Sequence, residues 1–329
     1  MKRIKIFSLG GTISASVANQ TDYINYKTGA YGEAYWKEEL PELYKLAEID
    51  WIDLAAISSA AITSDLLLEL RRHMQKALLE DGFDAVIISQ GTSTLEETAY
   101  FLNLSIATEK PIILTGAQRP NGTYGSDAKS NLFQAVQVAC SPNAMGKGSL
   151  VVFNTKIHSA REVTKTDTYS LESFQSPNTG PVGEVLADGK VLFYHQPLYK
   201  HTSTSEFSDL EIERLPKVEM LVSYPEASAK FLEVVAADDN IQGVILIGTG
   251  AGLIASTQEE ALWQCVQDGK IVVRASRCAT GAVTPTTSYP SDKILAAGNL
   301  SPQKARIFLQ LALCKSKDLK TLQEWMEEH

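Results

Sequence analysis

Cysteine is scarce in this chain of 329 residues, with four in all: Cys140, Cys265, Cys278 and Cys314. No two form a CxxC pair, which excludes a zinc knuckle or a dithiol redox motif. Their apolar neighbours predict buried, inert thiols. Histidine is nearly as scarce. The five present (His73, His158, His195, His201 and His329) show no ligand spacing, so neither a metal site nor an organic cofactor is expected. Positive charge is in deficit, 30 Lys and Arg against 39 Asp and Glu for a net charge of −9. That balance argues against a surface that tracks nucleic-acid phosphates. No apolar run approaches the length that spans a bilayer. The opening MKRIKIFSLGGTI has a basic start, but its apolar stretch is short, runs straight into a Gly-Gly turn and carries no small-residue cleavage site. It reads as a first strand, and the expected location is the cytoplasm, or outside it as the mature form of an exported protein.

What is present is an ordinary globular composition with room for one large or two medium domains. Apolar runs of strand length occur at Ile4–Leu9, Trp51–Ile57, Ala85–Ser89, Pro111–Thr115 and Leu150–Asn154. Helical periods lie between them. In 64–80, Leu66, Leu67, Leu70, Met74 and Leu78 share one face, with Ser64 placed to cap it. Leu95–Leu104 and Asp127–Val138 also read as helices. This alternation predicts an α/β fold with a mostly parallel sheet and helices on both faces. In such sheets functional groups gather at the carboxyl ends of the strands. The stretch 197–217, bounded by Pro197 and Pro216 and containing HTSTSEFSD, reads as a polar linker. The predicted division is an N-terminal domain over 1–196 and a smaller C-terminal α/β domain over 218–329. In the latter, strands at Val218–Tyr224, Val244–Ile247 and Ile271–Arg274 alternate with helices from Ala229 and Thr257. Two helices, from Pro302 and Leu319, close the chain.

Four segments carry candidate chemistry. Gly10-Gly11-Thr12-Ile13 follows a strand; its glycines allow a sharp turn and a close approach to a ligand, and Thr12 presents a hydroxyl there. Taken alone it reads better as a plain tight turn with a solvated Thr. Gln90-Gly91-Thr92-Ser93-Thr94-Leu95-Glu96-Glu97 places three hydroxyls before a helix. Ser93 or Thr94 as N-cap, with Glu96 or Glu97 closing a capping box, is the simplest reading. The same helix terminus also favours developing negative charge. Arg161-Glu162-Val163-Thr164-Lys165-Thr166 contains a lysine that becomes a usable base only if burial lowers its pKa. Gly116-Ala117-Gln118-Arg119-Pro120 is a loop after a strand.

In this order, and with Asn25-Tyr26-Lys27, SDAKSNLFQAV, IHSAREVTKT, SFQSPNTGPVG and AGNLSPQKARIFLQLAL in register, the chain resembles the L-asparaginase family nearly end to end. The resemblance implies a two-domain asparaginase-like fold that hydrolyses a small-molecule amide in two steps through an acyl-enzyme. It implies Thr12 as nucleophile, polarised by Tyr26 on a lid, and Thr92 as a second reactive threonine with Lys165 as its base. It also implies an oxyanion hole from backbone N–H groups around Thr92 and Ala117, and a homotetramer of intimate dimers whose sites are completed by a neighbour.

The departures lie on one side of the pocket. The family's His-Gly-Thr-Asp-Thr is here Gln90-Gly91-Thr92-Ser93-Thr94, which removes the aspartate that pairs with the lysine and receives the substrate's α-ammonium. A Ser-Gln-Asp motif is here Ser59-Ala60-Ala61, keeping the carboxylate-binding Ser59 but not the glutamine. The asparagine and glutamate that reach across the subunit interface have Thr249 and Ser288 as their nearest counterparts. A buried ammonium without a counter-charge costs several kcal/mol. The expectation is weak activity on free L-asparagine and better activity on an asparagine or glutamine derivative with a substituted α-nitrogen. A second reading, a non-catalytic homologue that binds an amino-acid-like ligand, is motivated by the lost aspartate and opposed by the retention of Thr12, Tyr26, Thr92 and Lys165. Gly248-Thr249-Gly250-Ala251-Gly252 imitates a dinucleotide fingerprint but has Leu253 where the third glycine is needed. G-x-S-x-G is absent around Ser93.

Overall fold

The computed structural model describes all 329 residues, Met1–His329. The chain separates into two compact units, Met1–Ser208 and Asp209–His329.

The first unit is built on strands whose residues are apolar on both faces. In β1 (Lys2–Gly10), Ile4, Ile6, Phe7 and Leu9 are all buried, and β3 (Ala85–Ser89) is buried throughout. Such runs suit central strands of a sheet covered on both sides. With β2 (Ala47–Ile57), β4 (Ile112–Thr115) and β5 (Ser149–Phe153) they run parallel, in the order β5-β4-β3-β1-β2. The sheet then continues with antiparallel strands: β6 (Lys156–Ser159), β9 (Gly183–Val185) and β10 (Val191–Phe193). None of these antiparallel strands was expected. The reversal after β5 is a two-residue turn in which Asn154 and Thr155 have φ of 46° and 68°, the sign a tight hairpin turn requires. Their amides are received by the side chains of Asn131 and Gln134, each at 3.0 Å.

Helices α3 (Ser64–Gln75), α4 (Leu95–Ser105) and α5 (Ala128–Cys140) connect the parallel strands. α3 runs on as a π-helical turn over Lys76–Glu80. Its cap is Thr63 rather than Ser64: the Thr63 hydroxyl accepts from Leu66 N at 3.2 Å. Two short helices missed in the sequence, α1 (Glu33–Glu39) and α2 (Leu43–Leu46), bring Trp36 and Leu43 onto the same apolar cluster as α5. The linker reading needs correction too. Thr202, Ser205, Phe207 and Ser208 are buried, and a short 3-10 turn at Thr202–Thr204 packs against α4. The polar run as far as Ser208 therefore belongs to the first unit, with Phe207 buried in it, and the division falls inside the expected linker.

The second unit is a four-stranded parallel sheet of β11 (Lys217–Val222), β12 (Ile241–Gly248), β13 (Ile271–Ser276) and β14 (Leu295–Ala296). α6 (Lys230–Ala237) and α7 (Glu259–Gln267) share an apolar cluster with it. α8 (Pro302–Ala312) packs on β11–β13, and α9 (Leu319–Glu328) packs on β14. The loops after β12 and β13 are tied together by the buried Arg274, which donates to Gly252 O at 3.2 Å and Thr284 O at 2.7 Å and lies 4.5 Å from the centre of the Tyr289 ring. The Gly248–Gly252 loop closes on itself through paired bonds between Thr249 and Leu253, at 2.9 and 2.8 Å, and does not open into a helix. Cys265 is buried and Cys140 half-buried, but Cys278 and Cys314 are exposed, contrary to the expectation of core thiols. No helix is long and apolar enough to cross a membrane.

Candidate active site

Four loops leave the carboxyl ends of the neighbouring strands β4, β3, β1 and β2 and converge in the first unit, as the sheet geometry dictates. What lets them converge is missing side-chain volume. Gly10 and Gly11 have φ of 95° and 79°, a region that residues bearing a Cβ avoid. A Cβ on Gly10 would come within 2.6 Å of Ile57 N, and one on Gly11 would overlap the backbone of Gly91. A Cβ on Gly91 would lie 2.9 Å from Ser59 Oγ. One on Gly116 would lie 2.6 Å from Gln90 O and 3.1 Å from Thr92 Cγ2. Thr12 and Thr92 are thus carried on two loops whose backbones touch, and both are buried.

Thr12 Oγ1 is 3.0 Å from Tyr26 Oη. Tyr26 sits at the return of a loop closed by backbone bonds between Ser16 and Lys27, at 3.0 and 3.1 Å. Tyr23 fastens that loop from outside. Its hydroxyl donates to Tyr124 O at 3.1 Å, its ring meets the Tyr169 ring edge-on at 6.2 Å, and Arg119 Cζ lies 5.8 and 5.9 Å from the two ring centres.

Lys165 comes from a small hairpin, β7 (Thr164–Lys165) against β8 (Phe174–Gln175). Its Nζ donates to Thr92 Oγ1 at 2.6 Å and to Gln118 Oε1 at 3.4 Å. Burial lowers the Lys165 pKa from the usual lysine value, and Asp167 opposes this only partly. The neutral amine is therefore more accessible than in water, which is what a base acting on a hydroxyl requires. The amides of Thr92 and Ala117 donate to no group of the chain and are left for a ligand oxygen. No three His, Cys, Asp or Glu side chains converge as a metal cluster would require.

Two family models match the chain in succession: "Asparaginase, N-terminal" over residues 3–199 and "Glutaminase/Asparaginase C-terminal domain" over 217–326. The chain belongs to the asparaginase family. It is 36% identical to L-asparaginase 2 of Bacillus subtilis over 329 residues, covering all of this chain and 87% of that one. It is 34% identical to L-asparaginase 2 of Escherichia coli over 334 residues, covering all of this chain and 94% of that one. Among solved structures, the probable cytoplasmic L-asparaginase of Campylobacter jejuni superposes with a TM-score of 0.96 at 36% identity, with full coverage of both chains.

The residues expected to recognise substrate lie in the loops after β2, β3, β12 and β13. Ser59 is buried and its Oγ accepts from Ser93 N at 3.1 Å, which leaves its O–H free to donate. Ala60 and Ser93 are exposed in the chain, so both stand open to solvent and ligand. Thr94 has no capping role. Its hydroxyl donates to Ser59 O at 2.9 Å, and α4 starts from a 3-10 turn at Thr92–Thr94 without the expected side-chain capping box. Gln90 is fully buried and donates to Gly91 O at 3.3 Å. Thr249 and Ser288 lie in the second unit, in the loops after β12 and β13; Thr249 Oγ1 donates to Leu253 O at 3.3 Å and Ser288 is exposed.

Sequence reasoning missed the residues that hold the reacting ones. Asp127, just before α5, accepts from Gln118 N at 3.1 Å and Arg119 N at 3.0 Å. Asn131 Nδ2 donates both to Asp127 Oδ2 and to Gly116 O at 2.9 Å. Burial raises the Asp127 pKa against the pull of these bonds. Gln118, so anchored, donates from Nε2 to Ser173 Oγ while its Oε1 faces Lys165. The signal was the SDAKSN run, which matched the family but looked like the start of a helix.

Proposed function

We propose that this asparaginase-family chain is an amidohydrolase that cleaves a side-chain amide of an asparagine or glutamine derivative through an acyl-threonine. The observation that carries the reading is the pairing of two buried threonines with their own partners: Thr12 with Tyr26, and Thr92 with a lysine whose pKa burial has lowered. Thr12 Oγ1 attacks the amide carbon while the carbonyl oxygen gathers charge facing the Thr92 and Ala117 amides. The hydroxyl proton passes by way of Tyr26 toward the leaving nitrogen, which departs as ammonia. Water, activated beside Thr92 and Lys165, then adds to the ester, and Thr12 leaves with its proton restored.

The substrate we favour has a neutral or substituted α-nitrogen. Ser93 and Ala60 supply neither the charge nor the bulk that would hold a bare ammonium, whereas Ser59 keeps its hydroxyl for a carboxylate. Ammonia release over a panel of free asparagine, free glutamine and N-acylated, glycosylated or peptide-linked amides tests both parts. Release from none of them sinks the catalytic reading and favours the non-catalytic one. A micromolar Michaelis constant for free L-asparagine sinks the specificity reading alone. We further place the enzyme as a homotetramer in which Thr249 and Ser288 of a neighbour complete each site, checked by sedimentation. Its compartment is the cytoplasm by the Campylobacter relative, against the periplasm named for a Haemophilus influenzae relative 35% identical over 331 residues; cell fractionation decides between them.

A further inference from the structure

Away from the threonines, the first unit contains a cavity of about 120 Å³. Its charge balance is unusual. Arg161 and Glu162 both line it, but they neutralise each other at 2.9 Å, and the guanidinium lies 3.7 Å from the centre of the Tyr199 ring. His201, also on the wall, is held toward its neutral form by burial and shares a hydrogen bond with Thr202 Oγ1 at 2.9 Å. Lys147 has no such compensation. It is buried, which lowers its pKa from the usual lysine value, its amino group lies 4.8 Å from the centre of the Phe193 ring, and no carboxylate pairs with it. Asn103, also on the wall, spends its Oδ1 on Ser149 N at 2.9 Å and keeps its amide protons free to donate.

The rest of the lining is largely hydrocarbon. Val182 is buried, Pro197 is half-buried, and Leu198 stands 96% exposed at the rim. A buried ammonium that lacks an anion, beside a free amide donor and an apolar wall, is a half-built ion pair. We propose that this cavity binds a small aliphatic monocarboxylate, its carboxylate on Lys147 and the Asn103 amide, its hydrocarbon tail against Val182, Pro197 and Leu198. Phosphates and sulfates fit worse: one uncompensated cation and mostly apolar walls suit a single charge with an attached hydrocarbon body. The wall is continuous in sequence with the segment that carries Lys165, and its tight turn is fixed by Val163 N donating to Ser159 O at 3.0 Å.

Titration calorimetry of the full chain with 4-methylpentanoate, and with the uncharged 4-methylpentanamide as control, tests the site. The acid is expected to bind, and the amide to bind at least about tenfold more weakly. Lys147→Met is expected to lose about tenfold or more in affinity for the acid, and Lys147→Arg to keep it. Thr179→Trp, a change at an exposed lining position, should block entry without touching the core. Should Lys147→Met not fold, Thr179→Trp and the acid–amide difference decide the matter. The proposal is overturned if the wild-type protein shows no binding at millimolar acid or binds acid and amide alike. It is also overturned if Thr92→Val abolishes binding and Lys147→Met does not, which would place the acid in the active site. Loss of oligomeric assembly in Lys147→Met, with no binding to the wild type, would assign the cavity to a subunit contact and overturn it as well.

Discussion

Replacing Ser93 by aspartate returns a carboxylate to the loop that carries Thr92, and the structure gives two separable consequences. The first is on Lys165, whose Nζ is 2.6 Å from Thr92 Oγ1 and whose pKa is lowered by burial with little electrostatic opposition. Opposite charges about 4 Å apart attract by about 4 kcal/mol at an effective dielectric of 20. Ser93 is exposed, so solvent screens most of this attraction. The sign is fixed. An added anion favours the ammonium, raises the lysine pKa and moves the ascending limb of the rate toward alkaline pH. The second consequence is on binding. The new carboxylate pairs with a free α-ammonium, and Ala60→Gln fills the space beside it. Together they should improve kcat/KM for free L-asparagine by about tenfold to a hundredfold and worsen it for an N-substituted amide. The two effects should be coupled, because both residues would contact the same group. The assay is initial-rate ammonia release for both substrate types from pH 5 to pH 10 in wild type, both single variants and the double. An unchanged substrate ratio together with an unmoved limb would show that Ser93 neither neighbours Lys165 nor faces the α-nitrogen, and the pocket reasoning would fall.

Thr12→Ala and Lys165→Met should each reduce turnover by about a thousandfold or more at unchanged melting temperature, and the double variant should be little worse than either single, since the groups act as a unit; additive losses would mean separate roles. The wild-type rate should rise with pH along a limb lying below the ordinary lysine value, because burial disfavours the charged amine; a limb at the ordinary value would remove Lys165 as the base. Gly11→Ala should abolish activity and lower stability, read by urea unfolding, as its Cβ has no place between the two loops. Phe207→Ala should cost about 3–5 kcal/mol in the same assay; a near-neutral result would restore the polar run as a free linker. Thr63→Ala should cost about 1 kcal/mol and Ser64→Ala almost nothing, because only Thr63 makes the capping bond.

The sequence alone determined the alternation of strands and helices, since apolar runs of four to seven residues and helical periods depend only on near neighbours. It placed β3 at Ala85–Ser89 to the residue and started the last two helices at Pro302 and Leu319. The family resemblance, carried by short contiguous motifs, also singled out Thr12, Tyr26, Thr92 and Lys165 as candidates. What the sequence left undetermined depends on contacts between distant segments. The antiparallel strands β6, β9 and β10 are too short to show a period, and they extend the sheet because the chain reverses at Asn154-Thr155 onto a waiting edge. The caps of α3 and α4 were misplaced by one residue or misassigned in role, because a hydroxyl satisfies whichever donor tertiary geometry presents; Thr94 answers Ser59 rather than its own helix. The burial of Phe207 inside a Ser- and Thr-rich run, and the exposure of Cys278 and Cys314, follow from which surfaces are covered, and composition carries no record of that. Above all, only the tertiary structure decided that Gly11 would lie against Gly91, and that Asp127 and Asn131 would brace the loop that brings Gln118 to Lys165. These contacts span from nine residues, between Gln118 and Asp127, to 47, between Gln118 and Lys165, and beyond; the order of strands in a sheet sets the longest of them, and no local pattern encodes that order.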